Sequence, residues 1–140
     1  MSITFADLPL RKETIDALNE HGFTSPFPIQ EMVMPIALAD GDVIGQAKTG
    51  TGKTLAFGIP VIERVIAPND ADWPQLANQG HPQVLIVVPT RELCVQVTKD
   101  IEELCFNRGI RTLAVYGGRA FEPQIEALAS GVEIVVGTPG

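Results

Sequence analysis

Residues 42–54 read Asp42-Val43-Ile44-Gly45-Gln46-Ala47-Lys48-Thr49-Gly50-Thr51-Gly52-Lys53-Thr54, and their reading decides the fold. The β-branched run Asp42 to Gly45 predicts a short strand, and a helical pattern opens at Lys53. The eight residues that join them, Ala47 to Thr54, follow the strand pattern and open the helix, the composition and context of a phosphate-binding loop. Glycines at 50 and 52 let the backbone curl so that successive N–H groups point inward at an anion. The helix that follows adds its free N–H groups and partial positive charge. Lys53 can then reach the β- and γ-phosphates of a nucleotide, and the Thr54 hydroxyl can ligate magnesium. Ala47 stands where the general pattern has glycine, a variant the backbone tolerates at negative φ. The competing reading is a glycine-rich turn that merely caps a helix, and the flanking strand and helix patterns weigh against it.

Outward from the loop, short apolar runs alternate with helical patterns. Val84–Val88 is stopped by Pro89, Thr112–Tyr116 by Gly117-Gly118, and Val132–Val136 by Gly137-Thr138-Pro139. Runs that are apolar on both faces suit a parallel sheet covered by helices on both sides. Lys53 to Ile66 carries Leu55, Ile59, Ile62 and Ile66 at helical spacing, with a kink expected at Pro60. Glu92 to Phe106 carries Leu93, Val97, Ile101 and Leu104 on one face, and a shorter helix is expected over Glu122–Ala129. Upstream, residues 9–21 and 28–39 read as two short helices around the Thr24-Ser25-Pro26 turn, and Ala67 to Gln83 as a polar surface loop. The pitch of the alternation predicts an α/β fold of βαβ units, a parallel sheet with helices on both faces.

Composition bounds the function. With 45% apolar and 19% charged residues the chain has material for a packed core, which excludes a disordered tail. Seventeen acidic against ten basic residues leave a net charge of −7, so bulk electrostatics do not hold nucleic acid. Any such binding rests on a few placed groups. Cys94 and Cys105 fall in one helical pattern, roughly 16 Å apart at the helical rise, too far to bridge. Buried free thiols are expected. The N-terminus lacks a secretory pattern, and the longest apolar runs fall far short of the ~20 residues that span a bilayer. A soluble, cytoplasmic protein with no membrane contact is expected. His21 reads as a helix C-terminal cap, His81 as a loop residue, and Trp73 as a local packing anchor.

The loop AKTGTGKT resembles motif I of the DEAD-box RNA helicases, and further matches follow in that family's order. Gly22-Phe23-Thr24-Ser25-Pro26-Phe27-Pro28-Ile29-Gln30 is similar to the Q motif, with Phe5 as its upstream aromatic. Pro89-Thr90-Arg91-Glu92-Leu93 resembles motif Ia, Gly117-Gly118 the family's glycine doublet, and Thr138-Pro139-Gly140 the start of motif Ib. The resemblance spans nearly the whole chain. It implies the N-terminal part of a RecA-like P-loop ATP-binding domain, with a Q-motif helical region over residues 1–39 and the P-loop core over residues 40–140. It also implies that the chain ends before the Asp-Glu-Ala-Asp element and the second RecA-like domain.

The resemblance assigns roles that the chemistry supports. ATP or ADP with Mg2+ would be held by Ala47, Lys48, Thr49, Gly50, Thr51, Gly52, Lys53 and Thr54, the last two acting catalytically and Thr54 on the metal. Gln30 would read adenine, its amide accepting from the exocyclic amine and donating to a ring nitrogen. Phe23 would offer a stacking face, and Phe5 either supports the pocket wall or simply fills the core. RNA backbone would be gripped without base reading by Pro89, Thr90, Arg91, Gly117, Gly118, Arg119, Thr138, Pro139 and Gly140. Because these loops end strands, they should share one rim of the sheet, where open α/β folds place ligands. No apolar run here ends in Asp-Glu, the carboxylate that orients water for hydrolysis, so the chain alone should bind nucleotide without turning it over. Two alternatives stay open. A P-loop enzyme acting on a small molecule would not depend on Gln30, and a non-catalytic RNA-binding module would bind RNA regardless of ATP or Lys53.

Overall fold

The computed structural model describes residues 3–48 and 52–140. The chain divides into two compact units, Met1–Arg64 and Val65–Gly140, so the helix that opens at Lys53 clusters with the helices before it.

The first unit is helical. A 3-10 turn at Phe5–Asp7 precedes α1 (Lys12–Glu20), α2 (Pro28–Leu38) and α3 (Lys53–Arg64). Pro28 occupies the first turn of α2, where its missing N–H costs nothing. Ile29 and Val33 of α2 pack on Ala56 of α3, with Ala37 and Ala47 against them, and Phe5, Leu18, Met34, Ile59 and Ile62 are also buried. Pro60 is buried within α3, which continues through it to Arg64. Ile66 falls beyond that end rather than on the helix.

The strand expected at Asp42–Gly45 does not form. Among the described residues the segment has no ladder partner, and Val43 and Ile44 are exposed, Ile44 completely. A strand is stabilised by its neighbour's hydrogen bonds. This one instead backs onto a helix, with Gly45 close against Val33 and Ile29 of α2.

The second unit holds β1 (Val84–Val87), α4 (Arg91–Cys105), β2 (Thr112–Val115), α5 (Phe121–Ser130) and β3 (Ile134–Gly137). The sheet is parallel in the order β1-β3-β2, with Ile134 opposite both Val84 and Thr112, and Gly137 opposite both Val87 and Val115. The buried face of α4, Cys94, Val97, Ile101 and Leu104, packs toward β2 and β3, while α5 packs against β2. The central strand β3 is the most enclosed, with Ile134 and Val136 fully buried. β1 departs from the two-sided burial expected of it. Ile86 is buried but Leu85 and Val87 are exposed, because the described residues cover β1 on one face only.

Three polar staples close the amino end of the sheet. Arg111 and Glu133, which precede β2 and β3, form an ion pair at 2.5 Å. Glu133 also accepts from the Arg111 backbone N–H, and its carboxylate raises the Arg111 guanidinium pKa. Arg108, also buried, donates to the Val65 carbonyl and to Asp70. Gln83 spans Ile66 by donating to its carbonyl and accepting from its N–H. The segment from Ala67 to Gln83, expected as a plain surface loop, is thereby pinned down and holds a 3-10 turn at Trp73–Gln75.

Candidate functional site

In the first unit the candidate site is built on the junction between α2 and α3. Gln30 is the third residue of α2 and is 1% exposed. Its Oε1 accepts the Phe27 backbone N–H at 2.9 Å, capping the start of its own helix. Its Nε2 donates to the Gly52 carbonyl at 2.9 Å, which fixes the residue immediately before α3. The same carbonyl accepts the Ala56 N–H, so it begins the helical ladder of α3 as well.

Gly52 adopts φ +82°, a backbone region that favours glycine. A methyl group built there would come within 2.5 Å of Phe27 Cδ2 and closer still to Gln30 Nε2. Lys53 is exposed and Thr54 half-buried in the first turn of α3, which carries no acidic residue. That leaves its N–H groups and dipole available to an anion. Ala47 is half-buried against Ile29, Val33 and Ala56, and Lys48 is exposed. Thr49, Gly50 and Thr51 lie outside the described residues.

The aromatics divide. Phe5 is buried and its N–H donates to the Thr24 carbonyl, so it anchors the segment leading to α2. Phe23 is 40% exposed. His21 is the C-cap of α1, as expected, with Nδ1 2.8 Å from the Ala17 carbonyl.

In the second unit the three strand-end loops share one rim, because β1, β2 and β3 are parallel and in register. Thr90 caps α4, its hydroxyl oxygen accepting the Leu93 N–H at 3.1 Å. Pro89 and Arg91 beside it are exposed. Arg91 reaches the glycine doublet: a methyl on Gly118, at φ +82°, would come within 2.5 Å of its guanidinium. Gly117 faces open space. Thr138 donates its N–H to the Val115 carbonyl, and Pro139 and Gly140 are exposed beyond it.

Arg119 is folded back onto the sheet. It donates to the Ala114 carbonyl at 2.7 Å and stacks 4.0 Å from the Tyr116 ring centroid. Tyr116 was not singled out by the sequence, although an aromatic three residues before an arginine at a strand end is the signal for such a stack. The cysteines take no part in either region. Both are buried and free on α4, and burial pushes the Cys105 thiol up to about 12.

The DEAD/DEAH box helicase family model matches residues 27–140, from the start of α2 through both glycine turns to the last residue. The chain belongs to that family. The ATP-dependent RNA helicase RhlB of Shewanella denitrificans is 43% identical over 136 residues, covering 97% of this chain and 31% of its own length. The DEAD-box ATP-dependent RNA helicase CshA of Bacillus subtilis is 40% identical over 140 residues, covering 100% of this chain and 26% of its own length. A solved DEAD box protein from the hyperthermophile Methanococcus jannaschii superposes with a TM-score of 0.85 at 39% identity. It covers 100% of this chain, which spans 36% of that protein. The fold is therefore the α/β, RecA-like P-loop architecture expected of a DEAD-box chain. These 140 residues span about a quarter to a third of the length of the curated relatives they match. Among the described residues no helix is long and apolar enough to cross a membrane.

Proposed function

We propose that this chain is the nucleotide-binding portion of an ATP-dependent RNA helicase that couples RNA-stimulated ATP hydrolysis to local duplex opening. The observation that carries this reading is the Gln30 amide, which holds the Gly52 carbonyl at the mouth of α3. It links the residue proposed to read adenine to the backbone proposed to hold phosphate.

The residues present fit a magnesium nucleotide. Gly52 has no room for a side chain, Lys53 is exposed at a helix N-terminus free of acids, and the Thr54 hydroxyl stands one residue on. Ala47 to Thr54 would hold ATP or ADP, with Lys53 neutralising the terminal phosphates and Thr54 contributing an oxygen to Mg2+. Gln30 and Phe23 would select the base, with Phe5 supporting the segment that presents them. The Gln30 amide already makes two hydrogen bonds, yet its oxygen retains a second lone pair and its nitrogen a second N–H for the base.

Arg91 would supply the principal cation for an RNA backbone, with Thr90, the Gly117-Gly118 turn and Thr138 giving hydroxyl and N–H donors around it. Pro89, Arg119, Pro139 and Gly140 complete that rim. With net charge −7, binding through one placed arginine rather than a basic face predicts a shallow salt dependence. We infer that residues 1–140 are the first part of the helicase's N-terminal RecA-like domain. The water-orienting carboxylate and transition-state arginines would then come from polypeptide outside these residues. The bacterial RNA helicases this chain resembles support a cytoplasmic location as part of this proposal.

Calorimetric titration of the intact protein with ADP and GDP tests the reading. ADP should bind with clear preference, Lys53→Ala should abolish binding, and Gln30→Ala should erase the preference for adenine. Equal affinity for ADP and GDP in the unaltered protein would overturn it.

A further inference from the structure

Phe27 breaks a local rule. It is the N-cap of α2, a position where Ser, Thr, Asp or Asn would bond the free N–H groups of the first turn, and its side chain makes no such bond. The ring is also 49% exposed, so it is not explained by burial. What it touches is Gly52: its Cδ2 stands in the space a β-carbon there would fill. The backbone of Phe27 is tied to the same place, since the Gln30 amide that accepts its N–H donates to the Gly52 carbonyl. The ring edge and the amide thus approach Gly52 together, and Gly52 opens α3 beside Lys53.

We infer that Phe27 is a positioning residue of the nucleotide site, its ring bracing Gly52 in the left-handed backbone conformation that aims the first N–H groups of α3 at phosphate. This rests on the proposal that Ala47–Thr54 holds a nucleotide. Without the ring, Gly52 is free to leave φ +82°, since glycine occupies both halves of φ space with similar ease. A residue that forfeits a helix cap and stays half-exposed marks a position where local stability has yielded to the site. Because the ring acts on the loop and not on the base, its loss affects every ligand that uses the phosphate cradle.

The test compares Phe27→Ser, Phe27→Tyr and Lys53→Ala in the intact protein, titrated with ADP and with inorganic tripolyphosphate, which has no base. Phe27→Ser supplies a helix cap, so its thermal midpoint should stay near that of the unaltered protein. Its affinity should nevertheless fall by about tenfold for both ligands, the scale of one lost aromatic contact. Phe27→Tyr keeps the ring and should restore both affinities. A purely structural role predicts instead that affinity follows stability, and unchanged affinity in Phe27→Ser overturns the inference. So does a loss confined to ADP, which would put the ring on the base. If the unaltered protein binds neither ligand, or binds them independently of Lys53, the nucleotide reading itself fails and takes this inference with it.

Discussion

Gly52 is where the demands of this site concentrate on one residue. Its positive φ is strained for any L-residue, and a methyl group would run into Gln30 and Phe27 at once. Gly52→Ala should therefore cost about 2 kcal/mol or more of stability, summing backbone strain and displaced packing. It should lower ADP affinity by more than tenfold, because the first turn of α3 must shift to relieve the contact. Denaturant unfolding and titration of the same sample check both, and an alanine variant with unaltered binding would show that the geometry at Gly52 is dispensable. Cys105 gives the opposite kind of residue. Its thiol is buried, donates to the Ile101 carbonyl, and is raised to about 12. At pH 8 it should resist a thiol-specific reagent in the native protein and react fully in denaturant, because the thiolate is the reactive form. Prompt labelling of native Cys105 would contradict its enclosure.

At the scale of elements, helices were more legible in the sequence than strands. α4 was placed to within a residue because Val97, Ile101 and Leu104 repeat at helical spacing, a pattern that needs no partner to be read. Asp42–Gly45 failed because a strand exists only with a neighbour, and four apolar-rich residues do not reveal whether one is within reach. The order β1-β3-β2 was likewise invisible, although the parallel direction followed from the alternation with helices. At the site, the sequence located Gln30 and the loop but not their mutual hydrogen bond, which depends on α2 and α3 packing side by side. α4 also carries an electrostatic weakness at its C-terminal end. Asp100 is raised above its usual pKa, first by burial and then by Glu103, and the last turn has no basic residue to meet the helix dipole. A carboxyl raised in the folded state stabilises the protein while protonated, and that benefit is lost as pH rises through the folded pKa. Asp100→Asn should thus stabilise the protein at pH 7 by less than about 1 kcal/mol, given the partial exposure. The gain should fade as pH falls through the ordinary aspartate range near about 4 and be gone by about pH 3, where both states are protonated. Urea midpoints at the two pH values decide it, and a destabilised variant at pH 7 would reverse the sign of the argument.

Across the whole molecule, charge is sorted along the sheet of the second unit. Its carboxyl rim presents Arg91 to solvent, where it is available to a phosphate. Its amino rim encloses the charges that hold strands together, with Glu133 fully buried beneath Arg111, and Arg108 on Asp70. Burial separates the two uses, because an ion pair removed from water cannot be spared while an exposed cation can be lent to a ligand. The two partners at the amino rim are not equivalent. Arg111→Ala strands a buried carboxylate whose one remaining donor among the described residues is the backbone N–H at position 111, whereas Glu133→Gln keeps the shape and that N–H bond while shedding the charge. Arg111→Ala should therefore cost about 3 kcal/mol, the lower end for breaking a buried pair, since the arginine itself is 41% exposed. Glu133→Gln should cost distinctly less. Neither should alter nucleotide or RNA affinity in the intact protein at temperatures where it remains folded. Chemical denaturation ranks the two variants and binding titrations check the second statement. A glutamine variant less stable than the alanine variant would mean that the pair's charge, not the carboxylate's burial, governs this end of the sheet.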